Sequence, residues 1–516
     1  MKGIKKLIGI LIVATMVVSI FAGCGGGNDS SADTSAGNTA AGESKNLTID
    51  ILQGAGLNPP AGDEDIIRTG LEKALNITIH MESGAAGDDY NNQLNVRLAG
   101  GSAPDIFQVP TRNQLVDEAK KNLIMDLTPY LDKLADYRNM ASESMKKGYI
   151  GEKFYSLVQN MNVMPSNTLW IRKDWLDNLQ LNMPATTGEL LDVAKAFTFN
   201  DPDKNGKDDT YGYGGCGLFN NIPSGGGFDD IFGAFGVPLP GSIYIKDGKV
   251  INSMEEAGTK DALVFINSMK AAGVLDPGIF SNSNPQAQQA AIQGKIGIVQ
   301  MGIFALKKQM FVDQIKQVNP KAEWVQLPSP KGPGGAYTTP KDIAGNGILF
   351  AIPKTMEKDP QKLDRIIELF NYISTGDGLT LVEYGVKGRD YNLDANGNIT
   401  ITDMLNQEGA YFYLYQLAGR PEEEYYKVKF PVMAKELEYT SKAPRIPIYD
   451  SLVVQPEEYN QADAATYINE QLVNFCTGLQ PISEYSKYID TLNSQFGYKA
   501  YTDAATQQLK DMGYVK

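Results

Sequence analysis

Histidine is almost missing from this 516-residue chain: His80 stands alone, beside only three cysteines and three tryptophans. One histidine without a neighbouring Cys, Asp or Glu cluster builds neither a Ser-His-Asp triad nor a zinc site. Gly-x-Ser-x-Gly and the phosphate-cradling Gly-x-x-x-x-Gly-Lys-Ser/Thr are absent too. Basic side chains are in deficit, 47 against 61 acids, for a net charge of −14. That balance argues against nucleic acid or anionic lipid as a partner, since both need clustered Lys and Arg. Carboxylates are the one catalytic group in supply. A glycosidase needs only two, so a surface-anchored polysaccharide hydrolase or lyase stays open, although no pair is singled out. Cysteine is too sparse for a disulfide framework. Beyond Cys24 only Cys216 and Cys476 remain, far apart in sequence, and two buried free thiols are expected.

Long apolar runs are lacking as well. The N-terminal run Leu7–Ala22 has 16 residues, short of the roughly 20 that span a bilayer as a helix. It follows Lys2, Lys5 and Lys6 and ends at Gly23-Cys24, the layout of a secretory signal over residues 1–23. Residues 24–45 are polar and small, a composition that cannot bury enough apolar surface to fold and behaves as a tether. The leader holds three lysines and no acid, so the exported body is more acidic still. Residues 46–516 exceed the size at which one core stops growing, and two lobes are expected.

Within the body, short β-type runs alternate with helical patterns, which predicts an α/β fold. Thr48–Leu52, Ile77–His80, Asp105–Val109, Thr168–Arg172, Ile296–Val299 and Ile348–Ile352 read as strands, and Ile66–Leu75 as a helix. Thr186 and Glu189 have capping-box spacing ahead of an apolar run. Leu363, Ile366, Ile367 and Phe370 share one helical face, as do Leu263, Ile266 and Met269. Trp170, Trp175 and Trp324 are read as core residues.

Asp201-Pro202-Asp203-Lys204-Asn205-Gly206-Lys207-Asp208-Asp209 matches the front of an EF-hand loop. Oxygen side chains fall at relative positions 1, 3 and 5, with glycine at 6 for the sharp turn. Lys207 would offer its carbonyl and Asp209 a direct or water-mediated ligand. The bidentate glutamate of position 12 is replaced by Gly212, so Asp208, Asp209 or a more distant group must close the shell. The expectation is a structural Ca2+ site of Asp201, Asp203, Asn205, Lys207, Asp208 and Asp209. A plain polar turn is the alternative.

Several stretches together resemble the family-one extracellular solute-binding proteins of bacterial ABC importers, in particular oligosaccharide- and alginate-binding lipoproteins. They are Ser102–Ile106, Leu169–Leu176, the Asp201 loop into Thr210-Tyr211-Gly212, Ala272–Pro277, Gly294–Gly297 and Tyr384–Tyr391. They occur in family order over residues 46–516. Phe21-Ala22-Gly23-Cys24 is similar to a lipobox, with Phe21 in place of the usual Leu. The resemblance implies diacylation of Cys24, which supplies the two chains that stable anchoring needs. It also implies a type II periplasmic-binding-protein-like fold of two hinged α/β lobes around a cleft. Crossings near residues 160 and 345 would assign 46–160 plus 345–400 to the N-terminal lobe and 161–344 plus 401–516 to the C-terminal lobe.

The expected function is capture of a carbohydrate by cleft closure at the outer face of the cell membrane, with delivery to ABC permease subunits and no catalysis. A monomer is expected, because a closing cleft must be free. A peptide or other polar solute is the alternative cargo. Sugars need aromatic platforms and hydrogen-bonding side chains at strand ends. That rule selects Gln53, Arg112, Arg172, Phe219, Asn220, Phe228, Phe304, Tyr384, Arg389 and Tyr391. Phe304 stands where the resembling sugar-binding proteins place a platform. Arg172 has a second reading as the partner of Asp174, and Tyr411, Tyr413 and Tyr415 as one face of a helix.

Overall fold

The apolar run at the start of the body becomes a strand, Leu47–Gln53. In the computed structural model, which describes residues 47–84, 87–161, 167–217, 226–345 and 347–516, it lies second in a five-stranded sheet. The order is Ile77–Ser83, Leu47–Gln53, Ile106–Val109, Leu349–Ala351, Leu157–Val158. The first three strands are parallel, and Leu349–Ala351 runs antiparallel to both its neighbours. Successive side chains of a strand point to opposite faces. Ile49 and Ile51 therefore enter one core, with Leu71 and Ile366, while Leu52 enters another with Leu94 and Leu115. The central strands Ile106–Val109 and Leu349–Ala351 are buried on both faces, whereas the edge strand Ile77–Ser83 alternates, with Ile77 and Ile79 buried and His80 exposed.

A second sheet has the order Trp324–Leu327, Asn167–Arg172, Ile296–Gly302, Tyr211–Gly214. Leu169 and Ile171 face one hydrophobic cluster and Trp170 the other. All three tryptophans are buried, as expected. A further four-stranded sheet, Lys249–Asn252, Ile243–Lys246, Arg445–Ile448, Thr338–Asp342, joins this second body. The C-terminal helices Gln461–Thr477, Tyr485–Gln495 and Tyr498–Asp511 close its core through Leu472, Tyr488, Tyr498 and Leu509. Cys216 and Cys476 are free and buried. Among the described residues, no helix is long and apolar enough to cross a membrane.

The helix Ile66–Leu75 has the expected bounds, and the capping box of Thr186 and Glu189 opens the helix Thr187–Phe199. The helices Pro360–Tyr372 and Ala257–Ala271 bury the faces that their spacing marked. The segment Tyr411–Tyr415 departs from the helical reading: it is a 3-10 turn, Gly409–Tyr415. Tyr411, Phe412, Leu414 and Tyr415 bury into the first body, while Tyr413 stays half-buried.

The chain passes between the two bodies on neighbouring segments. The strand Asn160–Met161, leaving the first body, pairs in parallel with Gly419–Arg420. The return segment follows Asp342. There Gly345 adopts φ +68, and a Cβ on Gly347 would collide with the Gln159 carbonyl, so only glycine allows this close approach.

Candidate functional site

Among the described residues, a smaller and a larger cavity open where the bodies meet. The smaller, about 260 Å³, is aromatic. Phe304, in the turn after the strand Ile296–Gly302, packs 4.5 Å from Phe430 and 5.0 Å from Tyr426, centroid to centroid. The same cavity is lined by Tyr413 and Gln416 of the first body, then Arg420, Tyr425 and Lys429. The Arg420 guanidinium lies 4.0 Å from the Tyr425 ring centroid and donates to Gln416 Oε1 at 2.6 Å. Lys429 Nζ donates to the Tyr425 hydroxyl at 2.9 Å. Its pKa is lowered by burial and then by the Arg420 charge. Tyr413 and Phe304 are half-buried and keep open ring surface.

The larger cavity, about 1100 Å³, lies between Pro110–Asn113, where the helix Arg112–Lys120 of the first body begins, and Ser242, Asp450, Ser451 and Gln455 of the second. Asn113 and Gln455 bridge it: the Gln455 backbone N–H donates to Asn113 Oδ1 at 3.0 Å. Arg112 donates to the carbonyls of Lys147 and, at 2.8 Å, Tyr149. Burial lowers its pKa to about 10. Lys147 donates to the carbonyls of Gly345 and Gly347, 3.3 and 3.0 Å, so a half-buried cation ties the return segment to the first body. Across from it, burial and the neighbouring Asp342 push Asp450 up to about 7. Gln159 stands between the cavities. Its backbone touches Gly347, a wall of the larger, and its side chain donates to the Gln416 carbonyl at 2.8 Å, a wall of the smaller.

The Asp201 loop joins the helix Thr187–Phe199 to the strand Tyr211–Gly214. Asp201, Lys204 and Gly206 have positive φ, which winds the chain around its own carboxylates. Asp201 accepts backbone N–H groups of Asn205 and Gly206, each at 3.0 Å. The Asn205 amide donates to Asp203 at 2.9 Å and Asp209 at 3.2 Å. Burial, then the Asp201 hydrogen bond and the Asp209 and Asp201 charges, raise the Asp203 pKa. Lys207 and Asp208 are exposed. Among the described residues no three His, Cys, Asp or Glu side chains converge closely enough to hold a metal by themselves. The oxygens of this loop would have to act with Asn205 and a backbone carbonyl.

The model of the family described as bacterial extracellular solute-binding protein matches residues 50–375, more than half of the chain. The chain belongs to this family. Among curated relatives, the polygalacturonan/rhamnogalacturonan-binding protein YtcQ of Bacillus subtilis is 28% identical over 76% of this chain and 75% of its own. Lipoprotein LipO of the same organism is 27% identical over 65% of this chain and 66% of its own. The fold matches that of the Streptococcus pneumoniae ABC-transporter substrate-binding protein FusA in complex with kestose. That match has TM-score 0.65 and 21% identity, and covers 90% of this chain and 99% of that one. A second FusA structure, of an EF-hand mutant with fructo-nystose, matches at TM-score 0.63 and 20% identity, covering 90% and 98%. The fold is thus the two-lobed α/β architecture of solute-binding proteins, and the two bodies are its lobes.

Of the residues selected from the sequence, Phe304 lines the aromatic cavity and Arg112 the larger one. Phe219 and Asn220 lie outside the described residues, as do Cys24 and the leader. The rest line neither cavity. Gln53 is buried, its amide donating to the Leu414 carbonyl at 2.6 Å. Arg172 is 1% exposed and forks onto Asp174 at 2.8 and 2.6 Å, over the Trp175 ring. Phe228 stacks in the core between Tyr213 and Phe280. Tyr384 is buried against Tyr425 and Tyr391, and Arg389 pairs with Asp390 and Glu408. Tyr413, Gln416, Arg420, Tyr425, Tyr426, Lys429 and Phe430 were not selected. Their density of aromatics between residues 411 and 430 was the available signal.

Proposed function

We propose that the chain is the lipid-anchored substrate-binding protein of an ABC importer, capturing an oligosaccharide by closure of its two lobes. One observation carries this reading: a single cavity is lined both by Phe304 from the second lobe and by Tyr413, Arg420 and Tyr425. Open aromatic faces beside hydrogen-bonding side chains are what a sugar's C–H faces and hydroxyl rims require. YtcQ and FusA, both named as binders of sugar polymers or oligomers, support the cargo class, and FusA the transporter. Anchoring through Cys24 is supported by the lipobox-like sequence and by the lipoprotein LipO. Among the described residues no carboxylate lines the aromatic cavity, so the acid pair of a glycosidase has no place there.

The hydrophobic clusters support a lobe division of 47–161 plus 345–425 and 167–344 plus 430–516. Leu405, Tyr411 and Tyr425 pack with the first lobe, and Met433 and Leu437 with the second. This moves the third crossing from residue 400 to near 425–430. Asp201, Asp203, Asn205, Asp209 and the Lys207 carbonyl would hold Ca2+, which supplies the positive charge that the clustered carboxylates lack and fixes the loop. The EF-hand of FusA supports this reading. A monomer leaves the cleft free.

The test is a thermal-shift and calorimetric screen of residues 46–516 against oligosaccharides, with peptides as controls and the recovered ligand analysed for cleavage. Saturable binding with the glycan intact is expected. Binding of peptides alone would overturn the cargo, and cleavage of the glycan would overturn the receptor role.

A further inference from the structure

Residues 159–161, where the chain leaves the first lobe, are stitched to the return segment and to the strand Gly419–Arg420, which leads to the third crossing. The Gln159 N–H donates to the Ile348 carbonyl at 2.9 Å, and the Asn160 N–H to the Ala418 carbonyl at 2.8 Å. Glycines press on the same stretch. A Cβ on Gly345 would meet the Met161 carbonyl at 2.5 Å, and one on Gly419 the Asn160 backbone at 2.2 Å. A hinge motion of the lobes is absorbed by such a few residues.

The Gln159 side chain leads from this junction to the aromatic cavity. It is buried, and its amide carries both a donor and an acceptor. The donor reaches the Gln416 carbonyl at 2.8 Å, and the acceptor takes the Tyr413 hydroxyl at 3.4 Å. Gln416, also buried, passes the contact on. Its amide donates to the Val382 carbonyl at 2.8 Å and accepts from Arg420 at 2.6 Å. Arg420 donates in turn to the Tyr426 hydroxyl at 3.3 Å, and the Tyr426 ring stands 5.0 Å from Phe304 of the second lobe. A continuous run of contacts thus joins the crossing to two cavity rings. Buried networks of this kind are rigid where every member is satisfied. The Tyr413 bond is the weak link, long for a hydroxyl donor, and its ring is half-buried in the cavity.

We propose that Gln159 is a positioning residue that couples the seating of a sugar on Tyr413 to closure of the lobes. A sugar stacked on that ring holds it still and tightens the bond from its hydroxyl to Gln159. Gln159 transmits the constraint to the crossing through its own backbone and to Phe304 through Gln416, Arg420 and Tyr426. The proposal rests on the reading of the aromatic cavity as the cargo site.

Calorimetry and small-angle X-ray scattering of residues 46–516 test it. The probes are maltotetraose, xylotetraose, tetragalacturonic acid and an inulin-type fructo-oligosaccharide. Gln159→Leu strands no partner: the Gln416 carbonyl also accepts the Gly419 N–H at 2.9 Å, and Tyr413 lines the cavity. Tyr413→Phe keeps the ring and removes only the hydroxyl. Each is expected to weaken affinity roughly 3- to 10-fold, the worth of one neutral hydrogen bond, and to reduce the fall in radius of gyration on binding. The double variant should be no weaker than the weaker single one, because both cut the same link. Gln53→Leu is the control. It removes an equally buried amide that donates to Leu414, beside Tyr413, and should lower Tm with affinity unchanged. Additive losses in the double variant would overturn the coupling and leave the receptor intact. So would an equal loss of affinity in Gln53→Leu, or unchanged affinity and closure in both single variants. Silence of the wild type on every probe would overturn both readings.

Discussion

Replacing Arg172 separates the structural placement of this side chain from the ligand role that its position in the sequence suggested. The guanidinium is 1% exposed, forks onto Asp174 at 2.8 and 2.6 Å, and lies 4.5 Å over Trp175 and 5.7 Å over Trp324. Arg172→Met keeps most of the volume and removes the charge. It leaves the Asp174 carboxylate, 13% exposed, without its cation. Removing one partner of a buried pair costs about 3 to 5 kcal/mol. Asp174 also accepts the Glu323 backbone N–H at 3.1 Å, which softens the loss, so the low end, about 3 kcal/mol, is expected. In a lobe of some 150–250 residues each kcal/mol shifts Tm by about 2 to 4 °C, which gives a drop of about 6 to 12 °C. Differential scanning calorimetry reads that drop, and calorimetric titration with the bound glycan should show affinity within twofold of the wild type. Arg172→Met with Asp174→Asn should recover much of the stability, because no buried charge is then stranded. An unchanged Tm together with a tenfold loss of affinity would refute the structural assignment.

Three further outcomes follow from the same structure. Chelation should lower the Tm of the mature protein: at calcium a hundredfold above its Kd the ion contributes about 2.7 kcal/mol, or about 5 to 10 °C. Asp203→Asn should abolish the response, and a chelator-insensitive Tm with no bound metal would remove the calcium site. Asp450, raised to about 7 by burial and Asp342, binds its proton more tightly folded than unfolded. Its stabilising contribution is therefore complete below about pH 4 and is lost as pH rises through about 7. Asp450→Asn should thus look more favourable at pH 8 than at pH 5 in urea titrations, and a pH-independent difference would count against the assignment. Cys216 and Cys476 are free and buried, with burial raising both thiol pKa values, Cys216 to about 11. Neither should react with a thiol reagent until the protein unfolds; fast labelling of the native protein would contradict their burial.

Much of this molecule is local and was legible as such. The strands Leu47–Gln53, Ile106–Val109 and Asn167–Arg172, the helix Ile66–Leu75 and the Thr186 capping box depend on side-chain period and on contacts within a few residues. The carboxylate-rich loop is likewise a matter of composition and spacing. Even the pairing of Arg172 with Asp174 needed only two residues, although the strand-end rule pointed it at the ligand instead. The cavity was different. Phe304 meets Tyr413 and Arg420 across more than a hundred residues of sequence, through a chain that passes between the lobes on segments packed by Gly345 and Gly347. Strand ends mark candidate positions, but whether Gln53 faces solvent or the Leu414 carbonyl depends on which segment returns beside it. Local sequence thus determined the elements. The return of residues 405–430 to the first sheet determined where the aromatic wall stands and which charges face it, because those contacts exist only once both lobes have packed.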